Sequence, residues 1–242
     1  MTAIFLKEFN AFLDSLIGYL VVGVFLVAIG LLMWIFPDTS VLDYGYADLD
    51  TLFSFGPFVL IFLVPAVTMR TFAEEKKGRT LELLLTKPVT EGGLVMGKFF
   101  AAFLLVILAL VPTLTYYFTL YELGNPPGNI DTSGVAGSYI GMILLGGVFC
   151  AIGIFSSSIT HNQIVAFIVG AFLCFLLYSG IDSAAQLFEN GELALAVRQM
   201  SVLYHYESIS KGLIDSRDLV YFFSLVFVLL LGAKTVLSSR SW

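Results

Sequence analysis

Six apolar runs, each close to the length that crosses a lipid bilayer as a helix, dominate this 242-residue chain. About 20 helical residues span the ~30 Å hydrocarbon core, where the backbone must pair all its polar groups internally. The composition agrees, because 58% of the residues are hydrophobic and only 12% are charged. The sequence therefore predicts an all-α membrane protein with six transmembrane helices. They fall at about residues 17–36, 53–69, 99–121, 135–155, 164–181 and 219–233.

The placement of charge constrains both function and orientation. None of the six runs contains Asp, Glu, Lys or Arg, and intramembrane charges usually mark ion or proton relays, so a proton pump is disfavoured. Cytoplasmic flanks retain Lys and Arg. With both termini cytoplasmic, only Arg198, Lys211 and Arg217 of the twelve basic residues are external. We therefore expect a multi-pass protein with cytoplasmic termini. Its net charge of −6 resides mainly on the outer face and suggests no nucleic-acid partner.

Two segments outside the spans have helical patterns. In residues 1–16, Phe5, Phe9 and Phe12 recur at helical spacing opposite polar residues, which predicts an interfacial helix turning upward near Gly18. The alternative, an early start of the first span, would bring charges into the membrane. The external segment 182–218 has an apolar pattern that predicts one amphipathic helix. The helix stop is expected at Gly212, and the last span is expected to be capped by Asp215 and Asp218.

Small residues give the fourth run a face that another helix can approach closely. The candidate packing residues are Gly137, Gly141, Gly146 and Gly147. Cys150 and Cys174 fall inside spans, where thiols behave as small hydrophobes, and they indicate neither a disulfide nor a metal site.

The densest charge lies between the second and third runs, in residues 70–98, on the expected cytoplasmic side. A membrane-embedded chain meets soluble partners at such a segment, although charged loops are often only solvated faces. The candidate contact residues are Glu74, Glu75, Lys76, Arg79, Thr80, Glu82, Thr86, Pro88, Val89 and Thr90. A second, uncharged contact is expected at the short link between the fourth and fifth runs, in Thr160, His161, Asn162 and Gln163.

Residues 92–99, Gly-Gly-Leu-Val-Met-Gly-Lys-Phe, imitate a phosphate-binding loop. Phe99 stands where the Ser or Thr that binds magnesium is required, and no strand precedes the motif. We therefore expect no nucleotide site and no bound cofactor in this chain. His161 and His205 are expected on opposite sides of the membrane, so the sequence also shows no catalytic cluster.

Three stretches carry a resemblance to a known family: residues 79–89, 157–166 and 204–215. The first resembles the cytoplasmic signature loop of permease subunits of type-2 ABC exporters, and together they are most similar to gliding-motility permeases. The resemblance implies a bacterial inner-membrane permease subunit without catalytic residues. Its implied partners are a second six-span subunit and a dimer of ABC ATPase subunits that bind ATP and magnesium. It also implies an elbow helix near the N-terminus, a gate helix at 79–86 and a coupling turn at 88–93.

Two other classes of function remain as alternatives. A membrane enzyme acting on lipid would need a nucleophile, acid or base clustered at one membrane depth, and the sequence lacks such a cluster. A membrane anchor or assembly scaffold for a cell-envelope machine also uses a charged docking loop. ATP hydrolysis by the assembled complex would distinguish such a scaffold from a transporter subunit.

Overall fold

The structure is a computed structural model and describes residues 1–85, 90–188, 191–213 and 215–239. The described residues form helices and connecting turns, without β-strands. The helices are α1 (Thr2–Leu13), α2 (Leu16–Trp34), α3 (Val41–Tyr44), α4 (Asp50–Thr68), α5 (Arg70–Lys77), α6 (Thr80–Leu85), α7 (Glu91–Leu110), α8 (Leu114–Leu123), α9 (Thr132–Ile159), α10 (Gln163–Phe175), α11 (Ile181–Ala185), α12 (Gly191–Arg198), α13 (Val202–Ser210) and α14 (Ser216–Ser238).

Six helical stretches are long and apolar enough to cross a membrane, which confirms the predicted fold class. They are Leu16–Trp34, Asp50–Lys77, Glu91–Leu123, Thr132–Ile159, Gln163–Ala185 and Ser216–Ser238. Three are interrupted, and the first of these has a turn at Met69 between α4 and α5. A 3₁₀ turn at Val111–Thr113, which includes Pro112, separates α7 from α8, since proline cannot donate the helical hydrogen bond. A π turn at Leu176–Gly180 separates α10 from α11.

The helix α9 is the centre of the bundle. It packs against α4, α7, α10, α13 and α14. An apolar stretch of 18 residues in α9 is 78% buried, compared with 28% for such a stretch in α2 and 17% in α14. The small side chains of α9 make this possible, because they let neighbouring helices come close. The spans α2, α10 and α14 therefore carry most of the apolar surface that faces outward.

The helix α1 is separated from the first span by a sharp turn at Asp14 and Ser15. A Cβ atom on Gly18 would overlap the carbonyl oxygen of Phe12, so only glycine fits one turn beyond this bend. The Ser15 hydroxyl donates a hydrogen bond to the same carbonyl, at 2.9 Å. The bend lies slightly before the predicted turn at Gly18, and α1 ends at Leu13 rather than at residue 16.

Residues 70–98 were expected to form a coupling loop with a helix at 79–86 and a turn at 88–93, but the described part of this segment is helical beyond residues 79–86. The second span continues as α5 to Lys77, α6 follows, and α7 begins at Glu91, eight residues before the predicted apolar run. Thr90 caps α7, because its hydroxyl oxygen accepts the Gly93 amide at 3.1 Å. Polar residues thus extend both spans beyond their apolar parts, so a hydropathy pattern alone ends them too early.

The single helix expected in the segment 182–218 is also wrong, since the structure has α12 and α13 with a break between them. The Ser201 hydroxyl accepts the Leu203 amide at 3.2 Å and starts the second of these helices. Gly212 ends it with a φ of +79°, as predicted. Asp215 caps α14 by accepting the Arg217 amide at 2.9 Å, whereas Asp218 makes a different contact.

Candidate functional site

A buried lysine joins three helices at the end of the bundle that carries α5. Lys98 of α7 is 1% exposed, and its ammonium group donates to Glu8 of α1 at 3.0 Å and to Glu75 of α5 at 2.8 Å. Its third hydrogen bond goes to the Thr71 carbonyl oxygen at 2.7 Å. The ammonium nitrogen also lies 5.1 Å from the centre of the Phe72 ring. We call these five residues the Lys98 junction.

The Lys98 junction satisfies a charge that burial would otherwise make costly. An ammonium group has three donors, and all three are used. A buried charge is tolerated when it is paired and fully hydrogen-bonded. The lysine that completes the phosphate-loop pattern is therefore a structural cation inside a helix, and it is not available to a nucleotide.

A polar cavity of about 210 Å³ opens beside this junction, between α1, α5 and α7. Two buried atoms next to it, Arg70 Nε and Glu75 Oε2, have no hydrogen-bond partner among the described residues. A cavity of this size with polar walls can hold water. The junction therefore combines direct ion pairs with a polar cavity that can hold water.

The inner face of α5 is also held by the end of α9. The Ser157 hydroxyl accepts the amides of Phe72 and Ala73 at 3.0 and 3.1 Å and donates to the Met69 carbonyl at 2.9 Å. These amides belong to the first turn of α5, where helical partners are missing. The Lys76 ammonium donates to the Ser158 carbonyl. Ser157 thus caps a helix other than its own.

The outer face of α5 and the start of α6 are exposed. Of the sequence-predicted contact residues, Glu74, Arg79, Thr80 and Glu82 are exposed, whereas Lys76 is buried and Glu75 is only 13% exposed in its side chain. Thr90 is exposed and caps α7. Arg79 has a φ of +54°, which is uncommon outside glycine, and it forms the corner between α5 and α6. Thr86, Pro88 and Val89 lie outside the described residues.

The second predicted contact stretch lies at the same end of the bundle. His161 and Asn162 are exposed, and Thr160 and Gln163 are half-buried. The Asn162 side chain accepts the Ile164 amide at 2.9 Å and caps α10. Since Lys76 contacts Ser158, two residues before this link, the two predicted contact stretches are neighbours.

The opposite end of the bundle carries a second set of ion pairs, which sequence reasoning missed. Arg198 of α12 contacts Asp182 of α11 at 2.9 Å and Glu207 of α13 at 3.3 Å. His205 of α13 contacts Asp218 of α14 at 2.7 Å. These pairs connect four helices around the end of the fifth span. The sequence marked this region only through the family resemblance of residues 204–215. That resemblance did not indicate which side chains form ion pairs.

The four packing glycines contact two different neighbours. A Cβ atom on Gly137 would overlap the Ile209 carbonyl oxygen of α13, and one on Gly141 would come within 3.1 Å of the Tyr206 ring. On Gly146 it would meet a Val106 methyl group of α7 at 2.8 Å, and on Gly147 the Phe103 ring at 3.4 Å. The structure thus brings Gly137 and Gly141 together with α13, and Gly146 and Gly147 with the third span.

Within the described ranges, no group of three or more His, Cys, Asp or Glu side chains could hold a metal ion. The fold defines a six-span helical membrane protein. The end of the bundle that carries α5 is charged, contains the ion pairs of the Lys98 junction and has an exposed helical face. A model of the ABC-2 family of transporter proteins matches residues 38–238, and the chain belongs to that family. It is therefore a transmembrane permease subunit of an ABC transporter, a family that implies an ABC ATPase as a separate partner. A comparison with curated proteins gave no match.

Proposed function

We propose that this permease subunit receives the motion of its ATPase partner through the exposed face of α5 and α6. The observation that carries the proposal is the two-sided character of α5. Its inner face is fixed by Lys98 and Ser157, while Glu74 on its outer face is exposed. A force applied by a partner to the charged outer face of α5 can pass directly into the bundle, because the contacts on the inner face of α5 are already formed.

The proposed orientation puts this end of the bundle in the cytoplasm. What supports it is the excess of Lys and Arg on the α5 side, since such residues are retained on cytoplasmic flanks. Both termini are then cytoplasmic, in a bacterial inner membrane. The ATPase subunits, which bind ATP and magnesium, would dock as a dimer on α5, α6 and the link at Thr160–Gln163.

We further propose that the subunit pairs with a second six-span subunit and acts as an exporter of the gliding-motility GldF type. The open apolar faces of α2 and α10, whose spans are 28% and 22% buried, support the pairing. The finer assignment is supported by the resemblance of residues 79–89, 157–166 and 204–215 alone. A strain lacking this chain should lose gliding and regain it when the chain is restored; unimpaired gliding would refute this part.

The coupling proposal is tested with a surface variant that leaves the buried contacts intact. Glu74, Arg79 and Glu82 are replaced together by Ala, and the permease is purified with its ATPase in mild detergent and reconstituted. We expect weaker association and at least a tenfold loss of permease-dependent ATP hydrolysis, because a docking surface for differential contact with the two ATPase states is removed.

A matched control carries the same number of Ala substitutions at exposed charges on the other end, at Asp43, Glu122 and Lys211. This control should hydrolyse ATP at the wild-type rate. If both variants behave like the wild type, α5 and α6 are not the coupling surface. If the wild-type complex binds the ATPase but never stimulates hydrolysis, the chain acts as an anchor or scaffold.

A further inference from the structure

An apolar groove of about 860 Å³ runs between α7 and α14. Its walls are mainly aromatic, with Phe99, Phe100 and Phe103 on one side and Phe227 on the other, and Gly147 of α9 lies on its floor. Phe227 is 63% exposed and Phe100 is 37% exposed. We call this the α7–α14 groove. Its lining has the apolar character and volume of binding pockets for small amphipathic molecules.

The α7 wall of the groove is about as long as one lipid leaflet is thick. Along α7 it runs from Gly92 to Phe103, and eleven residues at 1.5 Å each cover about 16 Å. Half of the ~30 Å hydrocarbon core is about 15 Å. Along α14 the lining runs from Lys234 to Val220, and fourteen residues cover about 21 Å. The groove therefore starts at the polar end of α7, passes through one leaflet and ends somewhat beyond the middle of the bilayer.

Among the described residues that line the groove, one is a cation, and it lies at the polar end. Lys234 of α14 lines the groove and is exposed, and no other described residue forms an ion pair with it. Its aliphatic stem lies beside Gly92, where a Cβ atom would be 4.0 Å from Lys234 Cδ. The nearby carboxylate of Glu91 instead accepts the Ser238 hydroxyl. Within the described part of the chain, Lys234 is thus a positive charge without an ion-pair partner at the mouth of an apolar groove.

We infer that the α7–α14 groove binds an anionic phospholipid of the cytoplasmic leaflet, with an acyl chain between the aromatic side chains and the headgroup phosphate at Lys234. A basic residue between spans on the cytoplasmic side attracts anionic headgroups. An apolar span of another protein would fill the slot but leave Lys234 without a counter-charge. The inference rests on the orientation proposed above, in which Lys234 is cytoplasmic.

The test uses the purified full-length permease without its ATPase, depleted of lipid in detergent. Native mass spectrometry counts the lipids that remain bound after addition of phosphatidylglycerol or phosphatidylcholine with identical acyl chains. We expect the wild type to prefer phosphatidylglycerol. Lys234→Gln should lower that preference about fivefold, the factor that corresponds to ~1 kcal/mol for one lysine near an anionic surface.

Two further variants separate the headgroup contact from the groove. Ser224→Phe fills the groove from an exposed position and should reduce binding of both lipids. Lys211→Gln removes an exposed lysine at the other end and should bind like the wild type. An unchanged preference in Lys234→Gln, or a second protein chain in place of lipid at the groove, overturns the inference. Because the ATPase is absent, failure here is distinct from failure of the coupling proposal.

Discussion

Replacing Lys98 by methionine removes the buried cation of the Lys98 junction and keeps a side chain of similar length. Lys98 is 1% exposed and is hydrogen-bonded to Glu8 and Glu75, whose side chains are each 13% exposed. The substitution leaves two carboxylates close together without their buried cation. Their remaining ion-pair partner among the described residues is Lys7, which is 61% exposed and lies 3.7 Å from Glu8 and 4.0 Å from Glu75. The Thr71 carbonyl oxygen also loses its donor. The loss of stability therefore comes from the two carboxylates and the carbonyl oxygen that are left without their hydrogen-bond donor.

Breaking a buried ion pair by removing one partner costs about 3–5 kcal/mol. Both carboxylates line the polar cavity beside the junction, which is large enough to admit water, so we expect the lower end of that range, about 3 kcal/mol. For a chain of this size, 1 kcal/mol corresponds to about 2–4 °C in Tm. Lys98→Met should therefore lower the Tm by about 6–12 °C, by the scaling that holds for soluble domains.

The assay is thermal unfolding of the purified permease in mild detergent, with the loss of the monodisperse peak in size-exclusion chromatography as readout. The control adds Glu8→Gln and Glu75→Gln to Lys98→Met. Because no buried charge is then left unpaired and Lys7, which loses both carboxylate partners, is 61% exposed, the free energy of unfolding should return to within about 1 kcal/mol of the wild type. If the triple variant is no more stable than Lys98→Met, or the single variant unfolds like the wild type, unpaired charge is not what the junction controls.

Three further outcomes follow from contacts elsewhere in the bundle. Gly137→Ala should destabilise the protein by about 1–3 kcal/mol through overpacking, whereas Gly23→Ala, with open space around it, should be neutral or slightly stabilising in the same thermal assay. Ser157→Ala should cost about 2 kcal/mol because two buried amides of α5 lose their acceptor, and hydrogen exchange should increase at those amides. The Asp131 carboxylate accepts hydrogen bonds from the Gly134 amide, which has the larger effect, and from the Ser133 hydroxyl. These bonds hold the pKa of Asp131 below its usual value. The ionised Asp131 therefore stabilises the folded protein above the pKa that this residue has in the unfolded chain. That stabilisation is lost as the pH falls through its pKa in the folded protein. Asp131→Asn should accordingly make the Tm less sensitive to acid below about pH 4.

The sequence was sufficient for the spans because their signal is local. A run of about 20 apolar residues can satisfy its backbone in lipid only as a helix, so six runs predicted six spans. The ends were less accurate, since polar residues can continue a helix beyond its apolar part. The third span shows this: α7 begins at Glu91 and carries Lys98 inside it, where hydropathy suggested a boundary.

The Lys98 junction could not be derived from the sequence, because Glu8 and Lys98 are 90 residues apart. A lysine next to an apolar run fits an interfacial position equally well, and only the packing of α1 against α7 shows that its charge is buried. The break between α12 and α13 was different. Ser201 before an apolar residue is a helix N-cap signal, and reading that signal would have divided the segment correctly.

The contacts of α9 suggest how a push on α5 would travel. At one end α9 holds α5 through Ser157 and Ser158, and at the other the Ser138 hydroxyl donates to the Ser210 carbonyl of α13 at 3.2 Å. A displacement of α5 must either break its bonds to α9 or move α9 as well. At about 1 kcal/mol for each hydrogen bond, and more for those to buried donors that would be left unpaired, separation costs several kcal/mol. The 28 residues of α9 form a continuous helix about 42 Å long, so moving with α5 keeps those bonds and carries the displacement to α13. Gly137 packs directly against the backbone of α13. Because this contact is close, α13 must shift when α9 moves.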